Sequence, residues 1–346
     1  MNSSRMLVTR SLFIVDHILS IAIVVLGLIM AYLAVKYGNP TLGLISLIFI
    51  GIGMVKVRDL IPSMFRTIRA GGVAEQARYK QILLPVSRPE ALEGMVKLAA
   101  DVLSPGGRLA IVNIVVVPPQ LPAEAEVKKD SARALLRDAT AIADRLGIEA
   151  RAEIVSARTA TEAILDRARE NKSDLVIMGS SQRTVTEKMI FGNVADVVLR
   201  QAPCDVMVLS FSSRRQHPDR YVKILVPTAG YRHSQRALDI AVDIVKKEGG
   251  EITSLYVGPE SDAVRGNQIL EEARARSAKG GATSAVKFAT GNVADVIIDM
   301  ARKSDYDLII IGATEHPKYY TALLGNIADI VVKGAPCDVL VVRTKI

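Results

Sequence analysis

The chain has 346 residues, 49% of them hydrophobic, and a mean hydropathy of +0.26. That composition excludes a disordered chain, and two cysteines exclude a disulfide-stapled scaffold or a four-cysteine zinc site. Lys and Arg outnumber Asp and Glu by 44 to 36, a net charge of +8. Residues 1–80 hold nine basic and three acidic side chains, a local net of +6, so the remainder is close to neutral at +2. With no basic stripe on the body, no Trp and 4% aromatic residues, nucleic acid is disfavoured as a partner.

After an N-terminal segment at 1–10, residues 11–35 read SLFIVDHILSIAIVVLGLIMAYLAV, a length that crosses ~30 Å of hydrocarbon. Lys36, Tyr37, Gly38, Asn39 and Pro40 form a turn. A second apolar run at 41–55 becomes long enough to span if its helix continues to Ile61, with Lys56 and Arg58 snorkelling to the headgroups. The expectation is a transmembrane helical hairpin over 11–61 and a linker over 62–79; the alternative is a hairpin buried in a protein core. A secretory signal fits less well, because a second apolar run does not normally follow one. Arg5 and Arg10 precede the first run, and Lys56, Arg58, Arg66 and Arg69 follow the second. The positive-inside rule therefore puts both termini, and everything after the hairpin, on the cytoplasmic side of the cell (inner) membrane. Asp16 and His17 lie one to two turns inside the first helix, where an ionisable pair either has a function or simply reaches the headgroups.

From about residue 80 the pattern alternates. KQILLPVS at 80–87 reads as a strand, and a helix follows from Ala91 to Val102. RLAIVNIVVVP at 108–118 is a second strand, followed by a helix over 124–146, a strand over 150–155 and a helix over 161–171. DLVIMG at 174–179 is a third wholly apolar strand; a helix from Asn193 and the strand CDVMVLS at 204–210 close the unit. Near-continuous Val, Ile and Leu in strands that alternate with helices indicate a parallel sheet covered on both faces.

The unit then recurs. VKILVPTAG at 222–230 answers the first strand, and DLIIIGATE at 307–315 answers DLVIMGSSQ at 174–182. Gly179 and Gly312, Gly192 and Gly325, and Cys204 and Cys337 are each 133 residues apart. So long a period means duplicated domains, at 80–210 and 222–346, joined by a polar connector at 211–221. Both cysteines follow Ala-Pro at the same repeat position, where a small buried side chain is expected rather than a redox pair.

Each repeat resembles the universal stress protein domain, through its opening strand (ILLPVS, ILVPTAG), its spaced glycines and the closing APCDV. The resemblance implies two tandem doubly wound parallel-sheet domains, Rossmann-like or flavodoxin-like, and oligomerisation through the last strand. It also implies, in one branch of the family, adenine nucleotide binding at a G-x2-G-x9-G-[ST] segment. There the glycines let backbone approach phosphate and a helix N-terminus faces the anion. Here the first repeat offers Gly179, Gln182 and Gly192-Asn193; the second offers Gly312, Glu315 and Gly325-Asn326. The middle glycine is replaced in both, and Asn stands for Ser or Thr. Glu315 sets a carboxylate where a triphosphate would lie, a repulsion that only a cation or a proton relieves. Ser87 and Ala229 stand where the family holds an Asp for the ribose.

By this resemblance the first crevice is walled by Val86, Ser87, Ile114, Met178, Gly179, Ser180, Gln182, Gly192, Asn193 and Val194. The second is walled by Thr228, Ala229, Val257, Ile311, Gly312, Ala313, Gly325, Asn326 and Ile327. The ligand would be ATP, AMP or a cyclic nucleotide, with Mg only beside a triphosphate. The bland reading of these glycines is turn geometry at strand-to-helix joins. The tandem region is also similar to the stress-protein region of some amino-acid permeases and cation antiporters, which implies a transporter subunit anchored in the bilayer. Homo-oligomers through the closing strands and the hairpin, and a ligand-free scaffold, are the other expectations. An enzyme such as a slow ATPase is disfavoured, since no phosphate-loop Lys-Ser/Thr follows the glycines and only four His are present.

Overall fold

The computed structural model describes residues 79–118, 120, 129–181, 191–212, 220–313 and 326–345, together with 32–33, 36–38, 41 and 46. The chain divides into two compact units, Met1–Val73 and Ala74–Ile346. In the first, Lys36 and Tyr37 are helical and Gly38 turns at φ +61°, where the sequence places a turn. Nearly all of the predicted hairpin, with Asp16 and His17, lies outside the described residues. Among the described residues, no helix is long and apolar enough to cross a membrane.

Among the described residues the second unit is one ten-stranded sheet with eight α-helices. In chain order the elements are β1 (Tyr79–Pro85), α1 (Leu92–Val102), β2 (Leu103–Val116), α2 (Asp130–Arg145), β3 (Ala150–Ala157), α3 (Ala160–Glu170), β4 (Leu175–Ser181), α4 (Asn193–Gln201) and β5 (Asp205–Phe211). The second half repeats them as β6 (Lys223–Pro227), α5 (Arg232–Glu248), β7 (Glu251–Val257), α6 (Ala263–Lys279), β8 (Ser284–Ala289), α7 (Val293–Lys303), β9 (Leu308–Gly312), α8 (Asn326–Gly334) and β10 (Asp338–Arg343). Each half is parallel throughout, and the strand order is β3-β2-β1-β4-β5-β10-β9-β6-β7-β8. The doubly wound expectation holds for both repeats.

Alternation along the strands explains the layering. Leu175 and Ile177 of β4 join α1, α2 and α5 in one core, while Val176 and Met178 join α3, α4, α7 and α8 in the other. Both cores run through both halves, so the two repeats share their apolar interior. The single antiparallel junction is β5 against β10, in which Val341 pairs with Val208, its own counterpart in the repeat. A local twofold therefore passes between them. Both valines are wholly buried, each stabilising the junction by roughly 1.5–3 kcal/mol. Polar groups fix the ends of this pair. Asp205 Oδ1 accepts from Lys345 N at 2.8 Å, and Asp338 Oδ1 accepts from Ser212 N at 2.8 Å. Because the closing strands are paired inside one chain, their edges are not open to a second copy. The expected homo-oligomerisation through them is therefore corrected: both neighbours of each closing strand come from the same chain.

Candidate functional site

In an open parallel sheet, ligands bind beyond the carboxyl ends of the strands where the winding reverses. In the first half that place lies between β1 and β4. Val86 continues β1, its N–H donating to the Val112 carbonyl at 2.8 Å, and Asn113 Nδ2 donates to the Val86 carbonyl at 2.9 Å. The backbone at the end of β1 is thereby fixed, Val86 is buried, and Ser87 is left exposed at the rim. Ile114 on β2 is half-buried beside it.

The loop after β4 is tied at its base. Ser180 Oγ donates to the Phe191 carbonyl at 3.0 Å, and Phe191 N donates to the buried Asp196 carboxylate at 3.2 Å. Ser180 is therefore committed to loop closure, and Met178 below it is core. Gly192 then opens α4 at φ +97° and ψ 160°, and among the described residues, its chain neighbours aside, no heavy atom lies within 4 Å of where a Cβ would stand. The left-handed φ favours glycine there, and the space beside it is open. Asn193 is exposed and Val194 half-buried on the first turn of α4, whose leading amides have no intrahelical acceptor. Gln182 lies outside the described residues.

Gly179 has a different reason for being glycine. A Cβ there would stand 2.6 Å from Met95 Sδ, 3.3 Å from Phe211 and 3.4 Å from Ala91. Its counterpart Gly312 would meet His233 backbone carbon at 2.6 Å and backbone oxygen at 2.7 Å. Both let the start of α1 or α5 close on a strand end, so helix packing accounts for them without a ligand.

The second crevice is more occupied by its own side chains. Thr228 Oγ1 accepts from Gly230 N at 3.2 Å and donates to Ser234 Oγ at 3.2 Å; Ser234 Oγ donates to the Tyr231 carbonyl at 2.9 Å. Ala229 is exposed in this self-bonded turn, and Ile269 of α6 lies against Gly230. At the end of β7, before half-buried Val257, Tyr256 stacks on Phe288 at 5.8 Å. Ile311 and Ala313 are buried, and Ala313 N donates to the Val342 carbonyl at 2.8 Å. Asn326 begins α8 and Ile327 is exposed on it, while Gly325 and Glu315 lie outside the described residues. Of the first set, then, Ser87 and Asn193 are exposed, Met178, Gly179 and Ser180 are taken up by packing and loop closure, and Gly192 leads the helix; of the second, Thr228 and Ala229 lie in a self-bonded turn.

Sequence reading missed a set of acidic anchors at the other ends of the strands. Asp174 accepts from Lys80 N at 2.7 Å and Gln81 N at 3.0 Å, and Asp307 accepts from Val222 N and Lys223 N at 3.2 and 3.0 Å. Tyr79 Oη donates to Asp205 at 2.9 Å, and Tyr221 Oη to Asp338 at 2.8 Å. Burial, then the facing carboxylate, holds the Tyr221 phenol well above its usual range. The signal was available: each of these residues has its counterpart in the other repeat. His233 places Nδ1 2.8 Å from Thr344 Oγ1 and seats α5 on the end of β10. Cys204 is buried, and burial with Asp205 nearby raises its thiol to about 12. It is the inert apolar residue expected.

Residues 78–210 and 220–343 each match the universal stress protein family. The chain belongs to that family. A universal stress protein from Methanocaldococcus jannaschii is 29% identical over 146 residues, which are 37% of this chain and 86% of that one. A Na+/H+ antiporter from Synechocystis is 23% identical over 260 residues, 73% of this chain but 36% of the antiporter. Among solved structures, a universal stress protein from Archaeoglobus fulgidus superposes with a TM-score of 0.57 at 19% identity, covering 76% of this chain and 96% of that one. That likeness establishes the tandem fold. Shorter solved universal stress proteins, covering 36% and 35% of this chain, are complexes with cAMP and dAMP, a property of those proteins.

Proposed function

We propose that this universal stress protein is a non-catalytic, membrane-anchored regulatory module that binds an adenine nucleotide in its first half and acts on a membrane transporter. The observation that carries the ligand reading is Gly192: a left-handed residue with open space beside it, leading a helix at the β1/β4 winding reversal. In this reading Val86 and Ile114 border the base, Ser87 takes the place of the ribose-binding Asp, and the first amides of α4 receive phosphate. AMP or a cyclic nucleotide suits this site better than ATP, because the loop lacks its middle glycine; Mg enters only with a triphosphate. Isothermal calorimetry with AMP, ATP and cyclic AMP tests it directly. We expect heat from at least one of them and its loss in Gly192→Asp with the fold intact by circular dichroism. Absence of heat with all three removes the sensing claim and leaves the scaffold.

The transporter reading is supported by the antiporter match, which covers 73% of this chain. It is supported also by the apolar runs and flanking basic residues of 1–80, which favour a reading with the protein at the cell membrane and both domains cytoplasmic. Co-purification of a transporter from native membranes, lost when 11–61 is deleted, is the expected result. Recovery of the intact chain in the soluble fraction would sink the anchoring. ATP turnover that disappears in Gly192→Asp would replace the module by an enzyme.

A further inference from the structure

Because β5 and β10 run antiparallel, the starts of the first-half strands and the ends of the second-half strands share one edge of the sheet. Side chains tie them together there. Tyr79 opens β1 and donates to Asp205 at the start of β5, and Asp205 also accepts from Lys345 N, just past β10. Arg236, near the start of α5, lies 5.0 Å over the Tyr79 ring. The chain that arrives from the apolar runs of 11–55 therefore joins the sheet beside the second crevice. The first crevice opens on the opposite edge.

Among the described residues of this unit, the large apolar side chains left exposed are unevenly placed. Tyr231, Val264 and Ile327 stand at the starts of α5, α6 and α8, all on this edge, with Ile330 a turn behind; Leu146, also on this edge, follows α2. Val116 lies at the other edge, at the end of β2. Val264 is 85% exposed and Tyr231 51%, and their segments adjoin. A Cβ on Gly230 would stand 3.2 Å from Ile269 of α6, and Tyr256 Oη donates at 3.4 Å to Asp262, which leads into α6. Each is followed by an exposed arginine, Arg232 or Arg265, and Lys345 is exposed beyond β10. Glu260 and Asp295 are exposed acids on this edge, whereas Asp262 faces the Tyr256 phenol. The first half has Pro89 and Glu90 where the second has Tyr231 and Arg232, so the pairing of ring with cation belongs to this edge and not to the fold.

An aromatic ring and a branched apolar side chain, each followed by an arginine, suit the boundary between headgroups and acyl chains, where the apolar part leaves water and the guanidinium meets phosphate. We propose that this edge rests on an anionic lipid surface, with Tyr231, Val264 and Ile327 in the headgroup layer and Arg232, Arg265 and Lys345 on lipid phosphate. The proposal rests on the membrane-anchored reading and orients it: the self-bonded turn of the second half faces lipid, and the first crevice faces the cytoplasm.

Fluorescence of the full chain reconstituted in vesicles reads the contact. Cys204 and Cys337 are buried, so a cysteine placed at Val264 or at Val116 takes the fluorophore. The vesicles hold equal parts of phosphatidylglycerol and phosphatidylcholine, with a quencher on the headgroups. We expect quenching in Val264→Cys and none in Val116→Cys. Each basic residue near such a surface is worth about fivefold in the docking equilibrium. Arg232→Glu with Arg265→Glu, or vesicles of phosphatidylcholine alone, should therefore lose most of the quenching. A Val264 label left unquenched, equal quenching at the two positions, or quenching indifferent to both arginines and to lipid charge overturns the proposal. So does a label shielded from lipid and from a water-soluble quencher alike, which assigns the edge to a second copy of the chain. Flotation separates the two claims. A chain that floats with both kinds of vesicle while its Val264 label stays in water keeps the anchor and loses the docking. One that floats only with phosphatidylglycerol, label quenched, and is released by salt keeps the docking and loses the anchor.

Discussion

The two halves share a strand order but differ wherever the second has found an internal partner. In the first half, Gly94 stands where the second has Arg236, and Ala91 stands where the second has His233. Arg236 reaches back across the seam to lie 3.5 Å from Asp205 and 5.0 Å over the Tyr79 ring, while His233 bonds to Thr344. At the closing strands, Arg343 Nη1 donates to the carbonyls of Ala202 and Cys204 at 3.1 Å each, where the first half has Ser210. The second half has thus become the fastener, filling its own turn and reaching into its neighbour. Duplication lets one copy take over a structural task that the other need not perform.

Paired substitutions break this comparison in order of effect. Gly312→Ala should cost about 2–4 kcal/mol, because the new methyl meets His233 backbone that cannot step aside. Gly179→Ala should cost ~1 kcal/mol, since Met95 can change rotamer. Urea unfolding of the two variants checks the ordering, and equal losses would mean that α1 and α5 are seated with the same rigidity. Next come the phenols. Tyr221→Phe should lose about 1.5–3 kcal/mol, the worth of a buried hydrogen bond to a carboxylate. Tyr79→Phe should lose less, because Asp205 keeps Arg236 and Lys345 N; a larger loss at Tyr79 would contradict the fastener. The smallest effect concerns Asp196 and Asp329, counterparts on the other face. Asp196 accepts from Phe191 N, whereas Asp329 Oδ1 is buried without a hydrogen bond. Burial raises the Asp329 carboxyl to about 6, so its contribution to stability falls as pH rises through that value. Asp329→Asn should therefore stabilise the chain at pH 7 by less than ~1 kcal/mol, after allowance for its partial exposure. A calorimetric melt at two pH values reads it.

Most of the fold was legible because period and composition are local properties. The run ILLP and its answer ILVP identify strands from neighbours alone, and the 133-residue spacing implies the duplication. One boundary moved against residue type: β2 begins at Leu103 rather than Arg108 and carries Pro105, Gly106 at φ +72° and Gly107 within it, where its register against β1 shifts. The candidate site was legible only in part. Gly179 and Gly192 look alike in sequence, yet one is required by Met95, Phe211 and Ala91, and the other by its own backbone. Nothing short of the folded chain separates them. His233 and Thr344 lie 111 residues apart, which is why the role of His233 was invisible.

The pairing of β5 with β10 has a last consequence. Phe211 and Tyr221 are joined by a short covalent connector, so each half meets the other at an effective concentration of order millimolar. Its assembly therefore does not weaken on dilution as that of two separate copies would. A symmetric pair must also accept every substitution twice, once on each side of its axis. This chain accepts each once, so Arg236 could arise opposite Asp205 without a second arginine being forced into the place of Gly94.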